Sequence, residues 1–109
     1  MAMSAKEMLQ AMESMDKSEY ILLDVRTIEE HDEEKIPGSV CLPLLDIDSK
    51  VATVVPSKDT KLFVYCRSGL RSHAAAYKLG LLGYTNVYNF GGMRNYPYEL
   101  ELGKFEWKE

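Results

Sequence analysis

Cys66 is followed by Arg67, Ser68, Gly69, Leu70, Arg71 and Ser72. A cysteine attacks as its thiolate, and a helix N-terminus or nearby cations lower its pKa below the ordinary value of about 8.5. The apolar, β-rich run Leu62-Phe63-Val64-Tyr65 leads into Cys66, and Ala74, Ala75, Ala76, Leu79 and Leu82 follow it at helical spacing before Gly83. The cysteine is therefore expected at a strand-to-helix turn. There the helix's unpaired N–H groups and positive dipole end face the sulfur. Gly69 allows the loop to curl so that successive N–H groups point inward, a nest for an anion. Arg67, beside the cysteine, is placed to steer a substrate. Arg71 closes the loop at the helix start, where a cation opposes the dipole unless it serves an anion. Ser68 and Ser72 can cap the helix or donate hydrogen bonds, and capping is the expected role of Ser72. Such a cradle suits a thiolate, a persulfide or a bound oxyanion. A cysteine at a strand end also serves as a small buried hydrophobe, and the residue types alone leave both readings open. Cys41 has no such surroundings and is read as structural. No general base stands beside Cys66, and a lowered thiolate pKa would make one unnecessary.

The elements that must hold this loop are short. Ser4 and Glu7 have capping-box spacing, and Met8, Leu9, Met12 and Met15 follow at helical spacing, most simply a core-facing stripe. Tyr20-Ile21-Leu22-Leu23 reads as a buried strand ending at Asp24. Thr27 and Glu30 form a second capping box, opening a short helix through His31. Pro37-Gly38 marks a turn, Val40-Cys41-Leu42 a brief strand closed by Pro43, and residues 48–54 a helix ended by Pro56. Val87-Tyr88 is a last short strand. Gly91-Gly92 breaks the chain before a helical turn or two over residues 93–100. Apolar strands alternating with helices predict a parallel sheet covered on both faces. Ligand sites in such sheets lie beyond the C-terminal strand ends, where Cys66 falls.

Asp24 and Arg26 are expected to form a buried polar network that fixes the strand end, because buried charges are usually paired. Glu29, Glu30, Glu33 and Glu34 read as a solvated face. His73 is expected to be exposed, and Arg94 to lie near the site rim.

The 109 residues, 46% apolar and 28% charged, fit a single globular domain spanning residues 1–109. No apolar stretch is long enough to span a bilayer, and the N-terminus lacks the apolar core of a secretory signal. A cytoplasmic protein is expected. The net charge of −4 argues against nucleic acid or an anionic membrane as the main partner. Two cysteines and two histidines give no zinc spacing and no disulfide framework.

Four segments in order carry a family resemblance. Leu23-Asp24-Val25-Arg26 with Glu30 is the first, and Ile36-Pro37-Gly38-Ser39 followed by Leu42-Pro43-Leu44 the second. Cys66 to Ser72 is the third, and Gly91-Gly92-Met93 the fourth. Over nearly its whole length the chain resembles a single-domain rhodanese. The resemblance implies a five-stranded parallel α/β sheet with helices on both faces. It implies a cofactor-free double displacement in which Cys66 takes sulfane sulfur from a donor such as thiosulfate and passes it to cyanide or a thiol. The loop amides of Ser68, Gly69 and Leu70 would hold the persulfide, and Arg67 and Arg71 would receive an anionic donor. The alternative is a sulfur carrier or interaction module that docks to an acceptor protein with little turnover of its own. The expected molecule is a monomer. Phosphatase and arsenate-reductase relatives have a longer loop closed as C-x5-R. Here Arg71 gives C-x4-R, a ring too small for a tetrahedral phosphate. His31 stands where the family usually has an aromatic, Glu34 where Gly is common, Lys35 where His is frequent, and Tyr96 where Trp is often found.

Overall fold

The computed structural model describes residues 4–102. Helix α1 (Ala5–Ser14) starts at the anticipated capping box: Ser4 Oγ accepts the Glu7 N–H at 3.1 Å, and Glu7 Oε1 accepts the Ser4 N–H at 2.9 Å. Strand β1 (Tyr20–Asp24) runs into helix α2 (Ile28–Glu33), capped in the same reciprocal way by Thr27 and Glu30. Two short strands follow, β2 (Glu34–Lys35) and β3 (Val40–Cys41), and then a 3-10 turn and helix α3 (Ile47–Val54). Strand β4 (Lys61–Cys66), helix α4 (Leu70–Leu81) and strand β5 (Val87–Gly92) complete the main body, and β6 (Glu101–Leu102) ends the described chain.

The main sheet has the order β3-β1-β4-β5, every pair parallel. It has four strands among the described residues, where five were expected. The remaining extended segments, β2 and β6, pair with each other antiparallel, outside that sheet. Helices cover both faces, as a parallel sheet requires. Side chains alternate along β4 with the strand period of two. Leu62, Val64 and Cys66 face α3 and α4, packing with Ile47, Val51, Ala75 and Leu79. Phe63 and Tyr65 face α1, packing with Met8, Met12 and Phe90. The methionine stripe of α1 is thus core packing.

Near the C-terminus one expectation is overturned and another is met only in part. Gly91 and Gly92 do not break the chain; β5 continues through both, with a register shift opposite Val64 and Tyr65. Residues 93–100 form only one 3-10 turn, Met93–Asn95. Pro97 lacks an N–H and disfavours helical geometry in the residue before it, and Tyr96 is extended (φ −81°, ψ 116°). Among the described residues, no helix is long and apolar enough to cross a membrane.

Candidate active site

Cys66 is the last residue of β4, and its side chain has no solvent exposure. The chain turns from β4 into α4 through Gly69, whose φ of +104° is costly for any residue with a Cβ. That turn aims two amides at the sulfur. Gly69 N–H donates to Cys66 Sγ at 3.0 Å, and Ser72 N–H donates at 3.3 Å. Ser72 Oγ accepts from the Cys66 thiol at 3.6 Å while its own proton goes to the Gly69 carbonyl at 3.0 Å; once the sulfur is a thiolate, that proton can turn to it. Burial pushes the Cys66 thiol pKa up, but the Ser72 hydroxyl and the Ser72, Gly69 and Ser68 amides outweigh it and hold the pKa below its ordinary value. Hydrogen bonds, rather than the neighbouring arginines, are the leading cause of this depression. Cys41 contrasts with it: half-buried and, among the described residues, without donors to its sulfur, its thiol is pushed up to about 11 by burial and by Asp24.

Ser72 does not cap the helix. The N-cap is Gly69, so Ser72 is the third helical residue, and it is fully buried. Its amide and hydroxyl serve the sulfur instead. Gly92 was not anticipated as part of the site. A Cβ there would stand 2.5 Å from the Arg67 carbonyl oxygen and 3.2 Å from the Ser68 carbonyl carbon. Strand β5 therefore presses directly on the cysteine loop, and only glycine leaves room for it.

The two loop arginines are not free. Arg71 Nη1 and Nη2 meet Glu30 Oε1 and Oε2 at 2.7 and 3.0 Å, a bidentate pair. Arg67 Nε lies 3.7 Å from Glu30 Oε2, and its side chain is 57% exposed. Glu30 does not belong to the solvated face its sequence neighbours predict: it is 21% exposed, with its carboxyl pulled down to about 2, chiefly by the Arg71 hydrogen bonds. Its place in the Thr27 capping box was legible in the sequence, but its partner across the site was not. Ser68 is exposed, and Leu70 points outward, 81% exposed. His73 and Arg94 are also exposed.

Asp24 and Arg26 are fully buried and paired. Arg26 Nε and Nη2 reach the carboxylate at 2.9 and 2.7 Å, and Nη2 also donates to the Glu34 carbonyl at 2.7 Å. Tyr65 extends the network. Its hydroxyl donates to Asp24 Oδ2 at 3.1 Å, accepts the Ile36 N–H at 3.1 Å, and lies 2.9 Å from Ser39 Oγ. His31 Nδ1 lies 2.9 Å from Asp24 Oδ2, so the residue in the family's aromatic position joins this polar cluster. The cluster locks the end of β1 to the β2–β3 connection beside the cysteine loop.

A parallel α/β sheet with a cysteine closing an inner strand, its sulfur held by the amides of the following turn, defines the rhodanese fold class. Comparison with known proteins agrees. The rhodanese-like domain model matches residues 4–107, and the chain belongs to that family. It is 37% identical over 73 residues to the thiosulfate sulfurtransferase PspE of Escherichia coli (strain K12), covering 67% of this chain and 70% of that one. It is 33% identical over 81 residues to the putative sulfur carrier protein YrkF of Bacillus subtilis (strain 168), covering 73% of this chain and 43% of that one. Among solved structures, a rhodanese with anions from E. coli superposes with a TM-score of 0.72 at 33% identity, covering 77% of this chain and 99% of that one. Family membership supports rhodanese-type sulfur transfer as the general activity.

Proposed function

We propose that this protein is a thiosulfate-type sulfurtransferase in which Cys66 is the nucleophile. The Cys66 thiolate attacks the sulfane sulfur of the donor. An Sγ–S bond forms as the donor's S–S bond breaks, and sulfite leaves with the electron pair when the donor is thiosulfate. A nucleophilic acceptor, cyanide or a thiolate, then attacks the outer sulfur and returns Cys66 as thiolate. The step needs no outside oxidant or reductant, and no cofactor enters it. The observation that carries the reading is the pair of amides, from Gly69 and Ser72, pointing at Sγ. They stabilise the thiolate as nucleophile and again as leaving group. Ser68, Gly69 and Leu70 line the cradle through their backbone, while Arg67 and Arg71 receive an anionic donor.

The test is intact mass after incubation with thiosulfate, run beside Cys66→Ser. A gain of one sulfur atom, absent in the variant and removed by cyanide, supports the persulfide step. No gain in folded protein with reduced Cys66 refutes thiosulfate as donor. A carrier role is the second reading, favoured by the likeness to the putative sulfur carrier and by the exposed Leu70 at the loop. Stoichiometric loading with negligible turnover on small acceptors would select it.

A further inference from the structure

Glu30 is a single carboxylate that meets both arginines of the cysteine loop. Its position is set by its own backbone. Oε1 accepts the Thr27 N–H at 3.0 Å, while Thr27 Oγ1 accepts the Glu30 N–H at 3.1 Å. The same Oε1 accepts from Arg71 Nη1 at 2.7 Å, Oε2 accepts from Nη2 at 3.0 Å, and Oε2 stands 3.7 Å from Arg67 Nε. A side chain held at both its backbone and its carboxylate is better ordered than a glutamate held by one surface ion pair. Among the described residues of the loop mouth, Arg67 and Arg71 alone would give two positive charges. With Glu30 the sum is one, and with the Cys66 thiolate it is zero. A mouth of two positive charges would strongly favour a dianion, whereas the observed one discriminates much less between dianionic, singly charged and neutral molecules.

Building on the sulfur-transfer reading above, we propose that Glu30 is a positioning residue that sets donor specificity. By holding Arg71 and offsetting one positive charge of the cradle, it opens the site to sulfane donors carrying one negative charge or none. The donor class this favours is a small organic persulfide or polysulfide rather than an inorganic dianion alone.

The decisive comparison uses two reagents of nearly the same shape that differ by one charge. Iodoacetamide is neutral and iodoacetate is an anion. Their alkylation rates at Cys66, read by peptide mass, give a ratio from which burial of the sulfur and its thiolate fraction cancel. Glu30→Gln keeps the capping box, since glutamine serves at that position as glutamate does, removes the charge, and exchanges the oxygen that accepts from Arg71 Nη2 for an amide NH2 that cannot accept. The expected result is a rise of about threefold in the iodoacetate-to-iodoacetamide ratio, from one unit charge at a solvated mouth. For thiosulfate, with two charges, KM should fall by roughly tenfold, and by much less for a neutral persulfide donor. Thr27→Ala disturbs the cap and keeps the charge, so it should leave the ratio where it is. An unchanged ratio in Glu30→Gln, or an equal shift in Thr27→Ala, overturns the proposal. If Glu30→Gln does not fold, the same ratio is compared between Arg71→Gln and the Glu30→Gln/Arg71→Gln double variant. The double variant must then show the higher ratio, and equal values overturn the proposal. The alkylation ratio does not depend on sulfur loading. Failure of thiosulfate to load the wild-type protein would therefore count against thiosulfate as the donor and leave the charge measurement standing on its own.

Discussion

Replacing Gly92 by alanine adds one methyl group where strand β5 passes the cysteine loop. The backbone at Gly92 is extended (φ −93°, ψ 151°), which alanine adopts freely. The whole effect is therefore steric. The new Cβ would stand 2.5 Å from the Arg67 carbonyl oxygen and 3.2 Å from the carbonyl carbons of Arg67 and Ser68. These are backbone atoms, so no side chain can swing aside, and either β5 or the loop must move by several tenths of an ångström. Overpacking of this kind costs about 1–3 kcal/mol. At about 4–8 °C of melting temperature per kcal/mol for a domain near this size, Tm should fall by roughly 5–20 °C. The loop is also expected to yield, because it is the segment that holds Sγ. Lengthening the 3.0 Å contact from the Gly69 amide to Sγ would raise the thiol pKa toward its ordinary value. The assay is thermal unfolding together with the pH dependence of Cys66 alkylation by iodoacetamide. Unchanged Tm together with an unchanged pH profile would refute the close packing of β5 on the loop as the reason for glycine at this position.

Ser72→Ala removes the hydroxyl that leads the hydrogen-bond stabilisation of the Cys66 thiolate. The alkylation midpoint should move up in pH with little loss of Tm; a midpoint that stays put would leave the amides as the sole support. Tyr65→Phe strips the hydroxyl that accepts the Ile36 N–H and donates to Asp24. Urea unfolding should show a loss of about 1–3 kcal/mol from the donor left unpaired. Because Tyr65 faces α1 and Cys66 faces α4, the alkylation profile should not move; a shifted profile would show that the two faces are coupled. Glu30 gives a pH signature. Its folded pKa, about 2, lies below the ordinary 4.5, so the stability it contributes is complete above about pH 4.5 and is lost as pH falls toward 2. After allowance for solvent screening that contribution is on the order of 1–2 kcal/mol. Glu30→Gln should therefore show a flatter loss of stability across that window, and a curve parallel to wild type would contradict the Arg71 pairing.

The features legible in the residues were those that close within a few positions of the chain. The capping boxes at Ser4–Glu7 and Thr27–Glu30 each span four residues, and both form as read. The apolar, β-rich run of β4 followed by a glycine-containing turn and an alanine-rich helix was enough to place Cys66 at a strand end under helix amides. These are local consequences of backbone geometry and burial, and they hold whatever the rest of the chain does. Some local signals were present but outweighed. Pro97 limits the helical turn or two expected over residues 93–100 to the single 3-10 turn Met93–Asn95. Gly91-Gly92 looked like a break because glycine usually ends strands, and only the loop packed against it explains why β5 needs glycine there.

What the tertiary structure alone decided lies between segments far apart in sequence. Glu30 and Arg71 are 41 positions apart, and nothing in the spacing of either shows that one carboxylate would hold both loop arginines. Tyr65 reaches Asp24 across a similar interval, and β2 finds β6 after most of the chain has intervened. Ser72 was within reach of the local reading, but its role turned on where the helix begins. Gly69 supplies the N-cap, which moves Ser72 inward to face the sulfur. The chain by itself determined that a cysteine would sit where a strand turns through Gly69 into a helix. The fold determined how much charge surrounds that cysteine, because charge at a site is a sum over every element that converges there, and convergence is a property of the packed molecule.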